Sequence, residues 1–297
     1  MNVSRTFLFT PGNHARRVEK ALSLDVDAVI LDLEDAVASS EKVASRELVT
    51  NALGKPHRPR GYVRMNALDT AFALGDLQAI VRPGVDGIVL PKLESVEQLH
   101  CADWLITQLE RERSLPEGAI DLMPIIETGA GLARIDALAK AAKKHGRVHR
   151  FAFGAGDFTL DMNLTWTADE LELLPYRSQL VLASRAAELE MPIDTVWVRL
   201  DDADGFAKSA RHAHGLGFQG KLCIHPSQCA VVNETFSPAA ADITRARAVI
   251  EAFEHAEAQG IASIQLDGEF IDYPIVYRAR RMLDLAQRIA ASRVQAG

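Results

Sequence analysis

Eight short apolar runs, each closing on a polar or charged residue and separated by stretches of helical periodicity, constrain this chain more than any other feature. They are TFLFT (6–10), AVILDLED (28–35), YVRMN (62–66), GIVLPK (87–92), DLMPIIE (121–127), RFAFGAGD (150–157), TVWVRL (195–200) and KLCIH (221–225). A strand that is apolar throughout, rather than at every second position, is covered on both faces, as in a parallel sheet. AVILDL, GIVLP and RFAFG have that character. Helices are expected over 14–24, 40–53, 96–112, 132–144, 176–189 and 204–214, with Ser95 capping the third of these. Eight strands with crossover helices predict a (β/α)₈ TIM barrel. No GxGxxG or GxxxxGK[ST] motif follows any strand, which weighs against an open nucleotide-binding sheet.

The barrel domain is expected over residues 1–235. Residues 236–297 differ in character: FSP, an Ala- and charge-rich helix over 240–259, a Gly-bounded hairpin in IASIQLDGEF and a last helix from about 274. This C-terminal helical extension has too little apolar mass for a core of its own. It is expected to pack as a lid on the barrel or on a neighbouring subunit.

A hydrophobic content of 48% in 297 residues provides a sizeable core, and a net charge of −7 with no basic stripe argues against nucleic acid. No apolar stretch approaches the roughly 18 residues of a membrane span. The three cysteines have no CxxC spacing, so neither a disulfide framework nor a zinc site is expected. MNVSRTFLF lacks the regions of a signal peptide, and the cytoplasm is the expected location.

Catalytic groups of such barrels sit at the C-terminal ends of the strands. Here those ends carry Asp32, Glu34, Asp35, Arg64, Asn66, Lys92, Glu127, Asp157, Arg199 and His225. Glu127 and Asp157 close neighbouring strands, about 4.8 Å apart, so the two carboxylates can share one divalent ion. Oxygen ligation favours Mg²⁺ or Mn²⁺ over zinc; the competing reading is that both acids cap helices or pair with Lys or Arg. Arg64 has the planar fork that grips a carboxylate, and it can equally pair with Glu34 or Asp35. Asp32, Glu34 and Asp35 are read as acids that orient Arg64 or the metal's waters. Lys92 is assigned to positioning in preference to a Schiff base, and His225 to structure in preference to general base.

Taken in order, RTFLFTPGNHARRVEKA, VILDLEDAV, YVRMN, VLPKLES, PIIETGAGL, FAFGAGDFTLD, GFQGKLCIHPSQ and LDGEFIDYP resemble the HpcH/HpaI aldolase and citrate lyase β-subunit (CitE-like) family, in its acyl-CoA lyase branch. The resemblance implies a Mg²⁺-dependent (β/α)₈ enzyme that cleaves a carbon–carbon bond beside a thioester, with Glu127 and Asp157 as metal ligands and Arg64 holding the oxo-acid. It also implies that Asp272, in FIDYP, exchanges the proton of the acetyl-CoA enolate carbon from across a trimer interface. Arg16, Arg17 and Lys20 are candidates for CoA phosphates, although a solvated helix face is the slightly preferred reading. The expected substrate is a 3-hydroxyacyl-CoA, citramalyl-CoA ahead of malyl-CoA or a citryl thioester, cleaved in a retro-Claisen reaction to acetyl-CoA and a 2-oxo acid. The alternatives are a class II aldolase acting on free hydroxy-oxo-acids and a non-catalytic accessory subunit. Two departures stand beside the metal ligands: Ala130 where the family commonly has arginine, and Gly156 where many members have glutamate.

Overall fold

The computed structural model describes residues 3–295, with the side chains of 293–295 left aside. Eight parallel strands close into a barrel in sequence order: β1 (Thr6–Pro11), β2 (Ala28–Asp32), β3 (Arg60–Arg64), β4 (Gly87–Leu90), β5 (Asp121–Ile126), β6 (Ala152–Phe153), β7 (Ile193–Asp194) and β8 (Gly220–Cys223). Register follows the apolar runs, with Phe9 opposite Ile30, Ile30 opposite Tyr62 and β8 returning to β1 at Leu222 and Phe7. Phe7, Ile30, Tyr62, Val89, Met123, Ile125 and Leu222 fill the interior. Their strand neighbours Val29, Leu31 and Ile88 are also fully buried, under the helices. Burial on both faces is why these runs lack a period of two.

The helices that follow the strands are α1 (Ala15–Leu22), α2 (Lys42–Leu53), α3 (Ala73–Ile80), α4 (Val96–Glu112), α5 (Gly129–Ala133), α6 (Ile135–His145), α7 (Ala155–Asp161), α8 (Leu174–Ala186), α9 (Ala203–Leu216) and α10 (Pro226–Thr235). The α4 helix spans the expected residues, opened by a capping box in which Ser95 accepts from the Gln98 main chain and the Gln98 side chain accepts from Ser95 N. Two of the strand boundaries that differ from the sequence reading bear on the strand ends. The sixth strand ends at Phe153, and the chain turns into α7 at once, so Asp157 lies in the first turn of a helix. The seventh strand is Ile193–Asp194, upstream of TVWVRL, which continues as irregular chain over the barrel rim. Both runs are apolar enough to be strands, and only pairing decides where the ladder stops.

The chain divides into two compact units, Ser4–Asn233 and a second beginning at Glu234. In the second, α11 (Ala240–Glu257) packs on α12 (Tyr273–Gln295), and β9 (Ile264–Leu266) pairs with β10 (Glu269–Ile271) as a hairpin. Asp267 and Gly268 at its turn both have positive φ, 50° and 86°, as a two-residue hairpin turn requires. This unit does have a small core, contrary to the sequence reading: Ala246, Val249, Phe253, Ile271, Val276 and Ala279 are buried together. The hairpin supplies what two helices alone would lack, with Ile264 and Leu266 packed on that cluster. The three cysteines are free thiols, and no helix among the described residues is long and apolar enough to cross a membrane.

Candidate functional site

Five carboxylates and two cations converge where β2 to β6 end. Asp32 and Arg64 are the last residues of β2 and β3 and register partners, so the parallel ladder itself sets them side by side. Arg64 donates from Nε to Asp32 Oδ1 at 2.7 Å and from Nη2 to Asp32 Oδ2 at 2.6 Å. Its Nη1 lies 2.9 Å from Glu34 Oε2 and 3.7 Å from Asp35 Oδ2, while the guanidinium stacks over the Phe9 ring at 4.8 Å. The Nε–Nη2 edge is thus taken by Asp32, and Nη1 is turned towards Glu34 and Asp35. Asp32 is held further by the main-chain N–H groups of Glu34 and Ala36, both at 3.0 Å.

Lys92 links this group to the two acids of the neighbouring strands. Its main-chain N–H donates to Glu127 Oε1 at 2.8 Å, and its ammonium donates to Glu34 Oε1 at 2.7 Å. The same ammonium lies 3.2 Å from Asp157 Oδ2 and 3.9 Å from Asp35 Oδ2. Lys92 has φ of 52°, a left-handed conformation that strains a residue with a side chain. Glu127, one residue beyond β5, is 3% exposed. Its seat depends on Gly154, where an added Cβ would stand 2.5 Å from Glu127 Oε2 and 2.6 Å from its Cβ. Beside Lys92 opens a cavity of about 90 Å³ lined by Ala67, Asp69, Pro91, Glu94 and Gln98.

Below the acids, Lys42 of α2 donates to Leu33 O, Glu34 O and Asn66 Oδ1 at 3.1, 2.7 and 2.5 Å. Asn66 in turn donates to Leu33 O and Asp76 Oδ2. These residues fix the turn that presents Glu34. The sequence reading gave Lys42 and Gly154 no role: a lysine within a helix and a glycine after a strand carry no signal until their partners are known.

The electrostatics follow from burial and an excess of negative charge. Glu127 is pushed up to about 8, first by burial and then by Glu34 and Asp157, with Arg64 opposing. Glu34 is also raised, by burial against the pull of Arg64 and Lys92. Burial raises the Asp32 carboxyl, but the charge and hydrogen bonds of Arg64 outweigh it and hold the group below the usual range. For Lys92 burial favours the neutral amine, yet Glu34, Asp35 and Asp157 together keep its pKa above the ordinary value. A Schiff-base lysine needs the opposite shift.

Other sequence candidates have partners outside this cluster or none among those described. His225 is exposed and its Nδ1 bonds to Ser227 Oγ at 2.8 Å. Arg199 donates to the Trp166 carbonyl at 3.2 Å. Arg16, Arg17 and Lys20 line the exposed face of α1, with no ion pair among the described residues. Asp272 belongs to the second unit, where its Oδ1 accepts from Ile275 N at 3.4 Å at the start of α12.

Residues 5–226 match the model of the HpcH/HpaI aldolase/citrate lyase family. The chain belongs to that family. It is 37% identical to the citrate lyase subunit beta of Leuconostoc mesenteroides subsp. cremoris, with 95% of this chain and 93% of the relative aligned. It is 32% identical to a (3S)-malyl-CoA thioesterase of Cereibacter sphaeroides strain ATCC 17025, over 97% and 96% of the two chains. Among solved structures, CitE of Mycobacterium tuberculosis in complex with magnesium, acetoacetate and coenzyme A is 29% identical and superposes with a TM-score of 0.76, covering 96% of this chain and 98% of that one. As a member of the family, the protein is a lyase.

Proposed function

We propose that this protein is a Mg²⁺-dependent carbon–carbon lyase that cleaves a short 3-hydroxyacyl-CoA, citramalyl-CoA ahead of malyl-CoA, to acetyl-CoA and a 2-oxo acid. The observation that carries the reading is Glu127: a buried carboxylic acid, pushed up to about 8 by burial and by Glu34 and Asp157, with Asp157 facing the same centre. Such a group is relieved either by a proton or by a cation. Among the described residues no cluster of three or more His, Cys, Asp or Glu could hold a metal. Two carboxylates suit Mg²⁺, which binds through one or two of them and keeps its remaining positions for water and substrate oxygens. The Mg²⁺ complex of the Mycobacterium tuberculosis relative supports the same cofactor.

In this reading Glu127 and Asp157 hold the ion, and the bound ion supplies stabilisation of negative charge on a substrate oxygen. Arg64, locked by Asp32 and stacked on Phe9, holds the carboxylate of the oxo-acid half and fixes the direction of the breaking bond. Lys42 and Asn66 keep Glu34 in place behind Arg64. Asp272 protonates the enolate carbon of the leaving acetyl-CoA, acting from a neighbouring copy in a homotrimer with the unit beginning at Glu234 as lid. Arg16, Arg17 and Lys20 are available to CoA phosphates.

The test is turnover of citramalyl-CoA, malyl-CoA and citryl-CoA with Mg²⁺ and with EDTA, following oxo-acid, acetyl-CoA and free CoA separately. Metal-dependent release of acetyl-CoA with oxo-acid, lost in Asp157→Ala, is expected. Release of free CoA with the hydroxy-acid intact would make the protein a thioesterase. No reaction of any thioester would move the weight to a free-acid aldolase or an accessory subunit.

A further inference from the structure

Lys92 combines three features: a strained backbone, a main-chain bond to one acid of the centre and an ammonium within 4 Å of three others. We propose that Lys92 is a tethered counter-cation that holds the acid cluster together without metal and competes with the divalent ion for Asp157. This makes it a positioning residue that sets how tightly the metal binds. The proposal rests on the metal reading of Glu127 and Asp157.

A glycine would adopt φ of 52° without strain, and it would still offer its N–H to Glu127 Oε1. What glycine lacks is the charge. Strain of this kind persists only where the surroundings dictate it, and here they include Glu34 Oε1 at 2.7 Å and Asp157 Oδ2 at 3.2 Å from Nζ. Arg64 cannot replace the ammonium, because its partners are Asp32, Glu34 and Asp35. Asp157 therefore has Lys92 as its one ion-pair partner among the described residues. A divalent ion approaching Asp157 must displace that ammonium or tolerate a positive charge beside it. The bond from Nζ to Glu34 gives the displaced group a place to remain.

The test is Mg²⁺ titration by calorimetry on the full chain without substrate, with thermal melts in EDTA and in Mg²⁺. Lys92→Met should bind Mg²⁺ about tenfold more tightly, the effect of removing one unit charge near a divalent ion in a partly solvated site. It should also melt lower than wild type in EDTA and recover in Mg²⁺. Lys92→Gly, which keeps the main-chain donor and relieves the strain, should tighten binding similarly. Lys92→Arg should bind no more tightly than wild type. Binding unchanged or weakened in both neutral variants overturns the proposal, as does failure of both to fold in the presence of Mg²⁺, since the role would then be structural. If wild-type protein binds no Mg²⁺ at all, the metal reading itself falls and this inference with it.

Discussion

At the bottom of the barrel Arg150 donates to Asp121 Oδ2 at 2.7 Å and to Glu190 Oε2 at 2.6 Å, with Tyr62 Oη and Gln219 completing the set. At the top, Asp32, Glu34, Asp35, Glu127 and Asp157 share only Arg64 and Lys92. In the lower group burial raises the Glu190 carboxyl, but Arg150 outweighs it and leaves the group below its usual range. In the upper group Glu127 is driven the other way. Buried charge alone therefore says little about function. An uncompensated excess of one sign, open to solvent at the strand ends, marks a place built to receive the opposite charge.

The sharpest way to break this contrast is a pair of substitutions. Arg150→Met strips the lower acids of their partner and should cost about 3–5 kcal/mol of stability, the penalty of an orphaned buried charge. Urea melts would read that loss, and Mg²⁺ affinity of the folded protein should stay unchanged. Asp157→Ala should do the reverse, with the metal-free melting midpoint level or higher. Its thioester cleavage should fall on the order of a thousandfold, the scale of several kcal/mol of lost charge stabilisation. If Asp157→Ala were the destabilised variant, the upper cluster would be structural after all.

Acid–base linkage gives a second handle. Glu127 has a folded value of about 8 against an ordinary 4.5, so between those pH values the folded protein binds more protons than the unfolded chain. Stability then falls as pH rises through that window, by an amount on the order of a few kcal/mol. Below pH 4.5 the contribution is fully present, and by pH 8 it is largely gone. Melts in EDTA across this range should show the decline, and Mg²⁺ should suppress it at the upper end by taking the proton's place. Glu127→Gln should flatten the slope and abolish the Mg²⁺ response. A metal-free profile flat from pH 5 to 8 would count against the uncompensated charge.

Much of the upper cluster was legible beforehand, because strand ends are fixed by where apolar runs stop. Glu127, Arg64 and Asp32 sit at or one residue past the ends of β5, β3 and β2. Asp157 was legible as a member of the site but not as a helix residue, since Gly154 to Asp157 reads equally well as strand or turn. The supports were hidden for a different reason. Lys42 reaches Asn66 across 24 positions and Lys92 reaches Glu34 across 58, and pairings over such separations leave no local pattern. The same holds below, where Tyr62 meets Asp121 and Arg150.

The smallest expected effect separates two glycines of one turn. Gly154 touches Glu127, and an alanine there must push against Oε2 and Cβ of Glu127 and Cγ2 of Ile125, all within 2.8 Å. Gly156 has nothing within 4 Å of where a Cβ would stand. Gly154→Ala should therefore weaken Mg²⁺ binding about tenfold, the lower end of what displacing a metal ligand's support costs. Gly156→Ala should leave it within error. The same calorimetric titration reads both, and melts in EDTA confirm that each variant is folded. Equal affinities for the two would mean that Glu127 moves freely, and that the close seat at Gly154 is not what aims it at the ion.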